Sequence, residues 1–145
     1  MVFKEFVELV EKRKRKDPVL FELDRDKIPS DADIDQMEDY YCLKFPESYR
    51  AFLKKYGGGY FAYTVVYSCD ADSTFYLLKN VEKEWVDTYG LFPVIDLETG
   101  DLGVFKVDDR VCEDQVYIFV HSEENARLHG GCGFLQALVE HGLKG

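Results

Sequence analysis

The histidines and cysteines are the residues of this sequence best suited to metal binding or nucleophilic catalysis. Cys112, His121, His129 and Cys132 could be imagined as four zinc ligands. Zinc sites usually take ligands in pairs about two to four residues apart on tight turns, and only His129 and Cys132 meet that spacing. We therefore predict no metal, and interpret His129-Gly130-Gly131-Cys132 as a flexible glycine-rich connection before the last helix.

Nucleophilic catalysis needs a Ser, Cys or Thr whose proton a neighbouring base can take. The chain has no Gly-x-Ser-x-Gly turn, and no catalytic signature surrounds any of its four cysteines. The carboxylate pairs Asp70/Asp72 and Asp96/Glu98 have the chemistry for acid–base work, but turns of an acidic protein carry such groups as ordinary surface charge. We predict that the protein is not an enzyme. A hydrolase or metal protein using the late His-Gly-Gly-Cys stretch is the last of three functional hypotheses.

A run of three glycines could in principle cradle a phosphate. Gly57-Gly58-Gly59 follows a predicted helix instead of preceding one, so it presents no helix N-terminus to an anion. No Gly-Lys-Ser or Gly-Lys-Thr completes the motif. The run is interpreted as a helix C-cap and turn, and we predict no cofactor.

Charge is distributed unevenly along the chain. The net charge is −10, but residues 1–16 carry six Lys/Arg against three Glu, which is +3 and leaves −13 for the remainder. An acidic field repels phosphate backbones and speeds encounter with cationic partners. We predict no nucleic-acid binding by the body of the protein, and interpret the basic run 12–16 as a solvated helix end. The alternative to a cationic partner is that the acidic charge merely keeps the protein soluble.

Apolar residues repeat with helical spacing in three segments of the first half. Pro18 ends the first segment, Ser30 caps the second, and Phe45-Pro46 opens the third. A short strand, Val19–Leu23, is predicted between the first two helices. The repeating positions are Phe3, Phe6, Val7 and Val10; Ile34, Met37 and Tyr41; and Tyr49, Phe52, Leu53 and Tyr56.

After Gly59 the pattern changes to that of strands, with turn residues between them. A short helix, Val81–Thr88, carries Trp85, and a closing helix covers Phe134–His141. Hairpin-like turns make the sheet mainly antiparallel. The predicted strands are Tyr60–Cys69, Thr74–Leu78, Phe92–Ile95, Gly103–Val107 and Gln115–Val120.

These elements predict an α+β fold in one domain, residues 1–145, with a mainly antiparallel sheet packed by N-terminal and C-terminal helices. The chain is 46% hydrophobic and 15% aromatic, which is enough to build a core. It has no signal-type apolar run and no stretch near the roughly 20 apolar residues of a membrane span. Its widely spaced cysteines are typical of reduced thiols, mostly in the core. We expect a cytoplasmic protein that binds no membrane.

Two stretches resemble the SMI1/KNR4 (SUKH) pattern over roughly residues 28–142. The first is a helix containing Glu38, followed by a Phe-Pro-x-x-Tyr-Arg-x-Phe-Leu helix that includes Tyr49 and Arg50 and ends in a Gly-Gly turn. The second is residues 90–101, a strand and a Gly/Asp turn, and residues 133–138 are a weaker match to the closing helix. Tyr56 stands where the family often has Asn, and Thr99-Gly100-Asp101 replaces its usual Gly-Gly-Asp.

The resemblance implies a non-catalytic binding module. Many bacterial members look like immunity proteins that block a toxin domain, often a nuclease. The leading hypothesis is therefore an immunity protein that binds a basic cognate toxin by mimicking its polyanionic substrate. The candidate contact residues are the turn acids Asp70, Asp72, Asp96, Glu98, Asp101, Asp108 and Asp109, with Tyr60, Tyr63 and Tyr67 as aromatic anchors.

Two alternatives remain open at this point. Fungal members of the family act as scaffolds in cell-wall signalling, so the second hypothesis is a scaffold or regulatory module with a host partner and no toxin. A neighbouring toxin gene would separate the first two hypotheses. For the tyrosines the alternative to an anchoring role is strand packing, and Tyr49, Phe52 and Trp85 are predicted to be core.

Overall fold

The structure is a computed structural model that describes residues 1–120 and 127–144, with the backbone alone for residues 127–129. The helices are α1 (Phe3–Lys16), α2 (Asp31–Tyr41), α3 (Glu47–Tyr56), α4 (Leu77–Asn80), α5 (Lys83–Tyr89) and α6 (Phe134–Leu138). A 3-10 turn, Pro18–Phe21, follows α1, and a π-helical turn, Val139–Leu143, follows α6. The strands are β1 (Gly59–Phe61), β2 (Thr64–Val66), β3 (Leu91–Asp96), β4 (Leu102–Asp108), β5 (Val111–Val120) and β6 (Arg127–Cys132).

The strands form one six-stranded sheet in the order β1-β2-β3-β4-β5-β6. Every neighbouring pair is antiparallel, so the predicted α+β class with an antiparallel sheet is confirmed. Because consecutive antiparallel strands reverse direction, the β1–β2 and β3–β4 turns lie at one end of the sheet and the β4–β5 turn lies at the other.

The main core lies between the sheet and the helices from both ends of the chain. Phe52 of α3 is fully buried, and its ring contacts Phe61 of β1 and Phe134 of α6 at centroid distances of 5.1 and 5.7 Å. Tyr49 packs on Phe134 at 5.3 Å, so the predicted core positions Tyr49 and Phe52 are confirmed. Burial of each such ring contributes about 1.5–3 kcal/mol.

A smaller cluster covers the opposite face of the sheet. Val104 faces this cluster whereas its neighbour Phe105 faces the main core, as the two-residue period of a strand requires. Trp85 of α5 is partly buried and packs edge-on against Phe119 at 5.7 Å. The sheet is therefore covered on both faces in its centre.

The second predicted helix begins with the cap that the sequence indicates. The Ser30 hydroxyl accepts a hydrogen bond from the Asp33 backbone N–H (3.1 Å), and the Asp33 carboxylate accepts one from the Ser30 N–H (3.0 Å). This reciprocal capping box satisfies two donors that the first turn would otherwise leave free. It fixes the start of α2, and therefore the position of the acidic residues along it.

Three predicted strands are wrong. Val19–Leu23 lies mostly in the 3-10 turn, where Pro18 stands at the first position and Leu20 N–H donates to Asp17 O. The predicted long strand Tyr60–Cys69 is the short hairpin β1–β2, which reverses at Ala62 with φ +52°. The segment Thr74–Leu78 makes only a single bridge, Ser68 to Tyr76, before α4 begins.

The strand β6 was not predicted. Its glycines were interpreted as a flexible connection, yet the segment pairs with β5 over Val116↔Cys132 and Val120↔Arg127. A Cβ on Gly131 would lie 2.8 Å from the ring of Tyr117, so this position has no room for a side chain. Glycine here permits close approach of a neighbouring ring, and it does not mark a loop.

Candidate protein-binding surface

The β3–β4 turn brings three of the predicted contact acids together. Asp96 Oδ1 accepts a hydrogen bond from the Glu98 backbone N–H at 2.8 Å, and Leu97 N–H donates to Asp101 O at 3.2 Å. Glu98 is exposed and has a left-handed backbone with φ +63°. The turn therefore holds Asp96, Glu98 and Asp101 within one tight reversal.

An exposed aromatic residue lies at the same end of the sheet. Tyr63, in the β1–β2 turn, is 47% exposed, and its backbone N–H donates to Gly142 O at 3.2 Å. Its near neighbour Val65 stands opposite Asp96 in the β2–β3 register. We name Tyr63, Asp96, Glu98 and Asp101 the acidic end of the sheet.

Tyr67 differs from the other two predicted aromatic anchors because it is buried, with 5% of its surface exposed. Its carbonyl accepts a 2.7 Å hydrogen bond from the Tyr49 hydroxyl. Burial, together with the negative charges of Asp96 and Glu98, raises the pKa of Tyr67 to about 12. Tyr67 belongs to the main core, so its ring is not exposed to a partner as the predicted anchoring role requires.

Asp108 and Asp109 lie at the opposite end of the sheet, in the β4–β5 turn. Asp109 and Arg110 are its two central residues, with φ values of +48° and +61°. A two-residue hairpin turn of the favoured type requires positive φ at both positions, and Asp tolerates it better than most residues. This pair therefore cannot share one flat contact face with the acidic end.

Asp70 and Asp72 follow the exit of β2 and have partners within the protein. The Asp72 carboxylate lies 3.0 Å from Lys27 Nζ, and the Asp70 carboxylate accepts a 3.0 Å hydrogen bond from the Lys27 backbone N–H. That backbone hydrogen bond is the main reason why the pKa of Asp70 is lowered. Both carboxylates help to hold the segment before α2 against the β2 exit.

Tyr60 of β1 stands opposite Val65, in the same cross-strand row as Asp96. Its partly exposed ring packs edge-on against Phe75 at 5.1 Å. It also lines a small cavity together with the cations Lys14 and Arg25. Four of the ten predicted contact residues, the three turn acids and Tyr63, lie in or beside the turns at one end of the sheet.

The structure describes only some of the residues of the imagined zinc site. Cys112 is buried, and burial raises the pKa of its thiol to about 12. Cys132 is partly buried in β6. His121 and the side chain of His129 lie outside the described residues. Among the residues that are described, no group of three or more His, Cys, Asp or Glu is placed to hold a metal.

Cys42 departs from the expectation that the cysteines are mostly core. It is exposed and caps the end of α2 in a left-handed conformation, with φ +55°. Its thiol lies 3.5 Å from Asp39 O. Cys69 and Cys132 are intermediate in exposure, so only Cys112 is a fully buried thiol.

Sequence reasoning missed one buried ionic contact, between Glu38 of α2 and Arg50 of α3. Glu38 is 5% exposed, and its carboxylate accepts hydrogen bonds from Arg50 Nη1 and from the Phe45 backbone N–H, both at 2.7 Å. Asp35 lies 3.1 Å from Arg50 Nη2. The sequence motifs contain both Glu38 and Arg50, but their spacing alone could not show that the two side chains form a contact. The contact is internal, and it positions helices instead of presenting a site.

Fold and surface together define a small α+β protein whose antiparallel sheet is backed by helices from both ends of the chain. Residues 31–129 match the SUKH_6 family, described as SMI1-KNR4 cell-wall, and the chain belongs to this family. The family is known for immunity-protein-like modules and is generally non-catalytic. No curated protein matched the chain, and no solved structure matched it. In the part of the chain that the structure describes, no helix is long and apolar enough to cross a membrane.

Proposed function

We propose that this protein is a non-catalytic immunity protein that neutralises a basic cognate toxin in the cytoplasm by direct binding. The observation that supports this proposal is the acidic end of the sheet, where three carboxylates on the β3–β4 turn lie at the same end as an exposed tyrosine of the β1–β2 turn. Membership of a family known for immunity-type modules supports it independently.

The carboxylates of the acidic end are available to a partner. None of Asp96, Glu98 and Asp101 forms an ion pair with any side chain that the structure describes. Asp70 and Asp72, in contrast, already contact Lys27. Free acids gathered on one turn give a local negative potential that a cationic surface neutralises.

The backbone of the turn also supports a role outside the protein. Glu98 adopts a left-handed φ, which costs an L-residue about 1–2 kcal/mol and which glycine adopts freely. Its side chain makes no hydrogen bond within the described residues that would compensate this cost. A left-handed L-residue whose side chain is exposed is a candidate functional position.

A nuclease toxin is the favoured kind of target. Enzymes that cleave nucleic acids carry cationic surfaces for phosphates, and carboxylates on a rigid turn can occupy the same positions. Charge complementarity speeds the encounter, while Tyr63 supplies an aromatic surface that can be desolvated in the complex. The −13 charge of the chain beyond residue 16 acts in the same direction.

Affinity capture from the native organism tests the proposal. The tagged wild type is compared with the triple variant Asp96→Asn/Glu98→Gln/Asp101→Asn, in which each side chain keeps its shape and loses its charge. A matched control, Asp108→Asn/Asp109→Asn/Glu113→Gln, removes the same charge from other exposed positions.

The expected result is capture of a basic toxin-like protein that is weakened by the triple variant and by added salt but not by the control. Equal loss in both variants would mean that net charge alone drives the interaction. Capture of a housekeeping partner at unchanged strength would contradict the proposal and favour a scaffold.

A further inference from the structure

A second exposed surface of opposite charge lies between α1 and the C-terminal π-helical turn. It is a groove of ≈ 380 Å³ with an aliphatic floor formed by Leu9, Val139 and Leu143. Val139 and Leu143 are otherwise buried, whereas Leu9 is 38% exposed. An exposed leucine beside a concave aliphatic floor is a feature that binding sites share.

The rim of the groove is cationic. Lys12, Arg13, Lys16 and Lys144 surround the floor. Arg13 lies 3.6 Å from Asp17, and Lys144 lies 3.2 Å from Glu140, so two of the four cations already have partners. Lys12 and Lys16 have none among the carboxylates of residues 1–120 and 127–144.

The arrangement of these cations is unfavourable for the isolated protein. Lys12 and Lys16 stand four residues apart on one helix, and like charges at this spacing destabilise a helix by about 0.2–0.5 kcal/mol. The Nε atom of Arg13 is buried and has no hydrogen-bond acceptor. A buried donor without an acceptor is destabilising.

We propose that this groove binds an acidic segment of a partner protein in which aliphatic side chains alternate with Asp or Glu. The aliphatic side chains would cover Leu9, Val139 and Leu143, and the carboxylates would pair with Lys12 and Lys16. This surface is distinct from the acidic end, and the inference does not depend on a toxin being the partner.

Charge and shape favour this occupant over the other polyanions. A nucleic acid would bring many phosphates towards a chain whose remaining residues carry −13, whereas a short acidic segment brings only a few charges. The residues that line the groove include no aromatic ring on which a base could stack. An anionic lipid surface would meet the same repulsion over a larger area.

The test uses the full chain and a short fluorescent peptide of alternating Glu and Leu, with anisotropy as the readout. The matched peptides replace Leu with Ser or Glu with Gln. The protein variants are Lys12→Gln/Lys16→Gln, Leu9→Ser, and a control of equal charge change away from the groove, Lys4→Gln/Lys106→Gln. Circular dichroism confirms that each variant is folded.

The proposal predicts that the Glu/Leu peptide binds and that both substituted peptides bind far less. Affinity should fall about five- to tenfold in Lys12→Gln/Lys16→Gln, because each exposed ion pair contributes modestly, and it should be unchanged in the control. Leu9→Ser should weaken binding without changing its salt dependence.

Four results would overturn the proposal. The first two are absence of peptide binding and an equal loss of peptide affinity in the lysine control. The third is tighter binding of a single-stranded oligonucleotide or an anionic vesicle through the same lysines. The fourth is a dimer that depends on Lys12 and Lys16. The last result would make a second copy of the chain the occupant of the groove.

Discussion

The buried carboxylate of Glu38 accepts a 2.7 Å hydrogen bond from Arg50 Nη1 and thereby joins α2 to α3. The second Glu38 oxygen accepts from the Phe45 backbone N–H, just before α3 begins. Arg50 reaches outward from this contact to Asp35 and Asp31, at 3.1 and 3.7 Å. A single guanidinium therefore connects a buried acid to surface acids, and its position fixes the angle between the two helices.

Replacing Glu38 tests how much this contact stabilises the fold. Glu38→Gln keeps the shape of the side chain but leaves the partly buried Arg50 with only exposed counter-charges, so we expect a loss of about 2–4 kcal/mol. Asp35→Asn is the matched control. Because Asp35 is 61% exposed, this variant should lose less than about 1 kcal/mol of unfolding free energy. Urea unfolding of both variants measures the difference, and equal losses would show that the buried carboxylate has no special role.

Substitution of Glu98 should separate stability from binding. Glu98→Gly relieves the left-handed φ of +63°, and after the greater entropy of unfolded glycine is subtracted, a gain of about 0.5–1 kcal/mol is expected. Glu98→Ala removes the same charge but keeps the strain, so it should leave stability nearly unchanged. Both variants should weaken partner capture equally. A destabilised glycine variant would mean that the glutamate side chain supports the turn.

Stability should fall steeply in alkali because several tyrosines are buried as neutral phenols. Burial raises the pKa of Tyr56 and of Tyr67 to about 12, and that of Tyr49 well above its usual range. In the unfolded chain, tyrosine side chains ionise near pH 10. The stabilisation that comes from keeping these phenols neutral is therefore complete below pH ~10, and it is lost as the pH rises towards ~12.

The measurement for this prediction is the urea midpoint as a function of pH between about 9 and 12. Cys69 and Cys112, whose pKa values burial also raises to about 12, contribute in the same direction. Tyr67→Phe should flatten the decline, because it removes one of the groups that ionise. A midpoint independent of pH over this range would contradict the burial of these side chains.

Thiol labelling at neutral pH should distinguish the four cysteines. Reagents attack the thiolate, so the exposed Cys42 should react first, and Cys69 and Cys112 should react only after denaturation. Cys132, partly buried with a raised pKa, should be intermediate. Cys42→Ser should abolish the fast phase. A fast phase that survives this substitution would show that one of the other thiols is accessible.

The three long helices α1, α2 and α3 could be predicted from sequence because each has a local signal. Ser30 and Asp33 supply a capping box, and the stripe that includes Tyr49 and Phe52 has an unmistakable period. The Gly57 turn was also anticipated, but its full reason was not. A Cβ at Gly57 would clash with the Asp26 carbonyl oxygen, and Asp26 is distant from Gly57 in the sequence.

The strands were harder because tertiary contacts override their local pattern. Thr74–Leu78 has the composition of a strand, but Leu77 instead begins helix α4. The hydroxyl of Tyr41, at the end of α2, donates to Val81 O (2.7 Å) and lies 3.2 Å from Leu77 O. The glycines of β6 have the composition of a loop, and only the Tyr117 ring across the sheet explains Gly131. Such information lies in the pairing partner and not in the segment itself.

Only part of the proposed contact surface could be predicted. The turn-favouring residues around Gly100 predicted that Asp96, Glu98 and Asp101 lie at one chain reversal, and in the structure they lie at the β3–β4 turn. The same chemistry could not show that Asp109 lies at the opposite end of the sheet, because that depends on strand order. Nor could alternation along a strand show that Tyr67 is buried, because the consecutive residues Val66 and Tyr67 both belong to the main core.

The most direct test of the central claim is a titration of the captured partner's activity with the purified protein. Direct, non-catalytic neutralisation predicts that inhibition increases linearly and is complete at one equivalent of protein, with the partner recovered chemically unchanged and active after dissociation in high salt. Complete inhibition at a small fraction of an equivalent, or a modified partner, would show catalysis. A partner that binds yet keeps its full activity would contradict the claim and identify the protein as a scaffold.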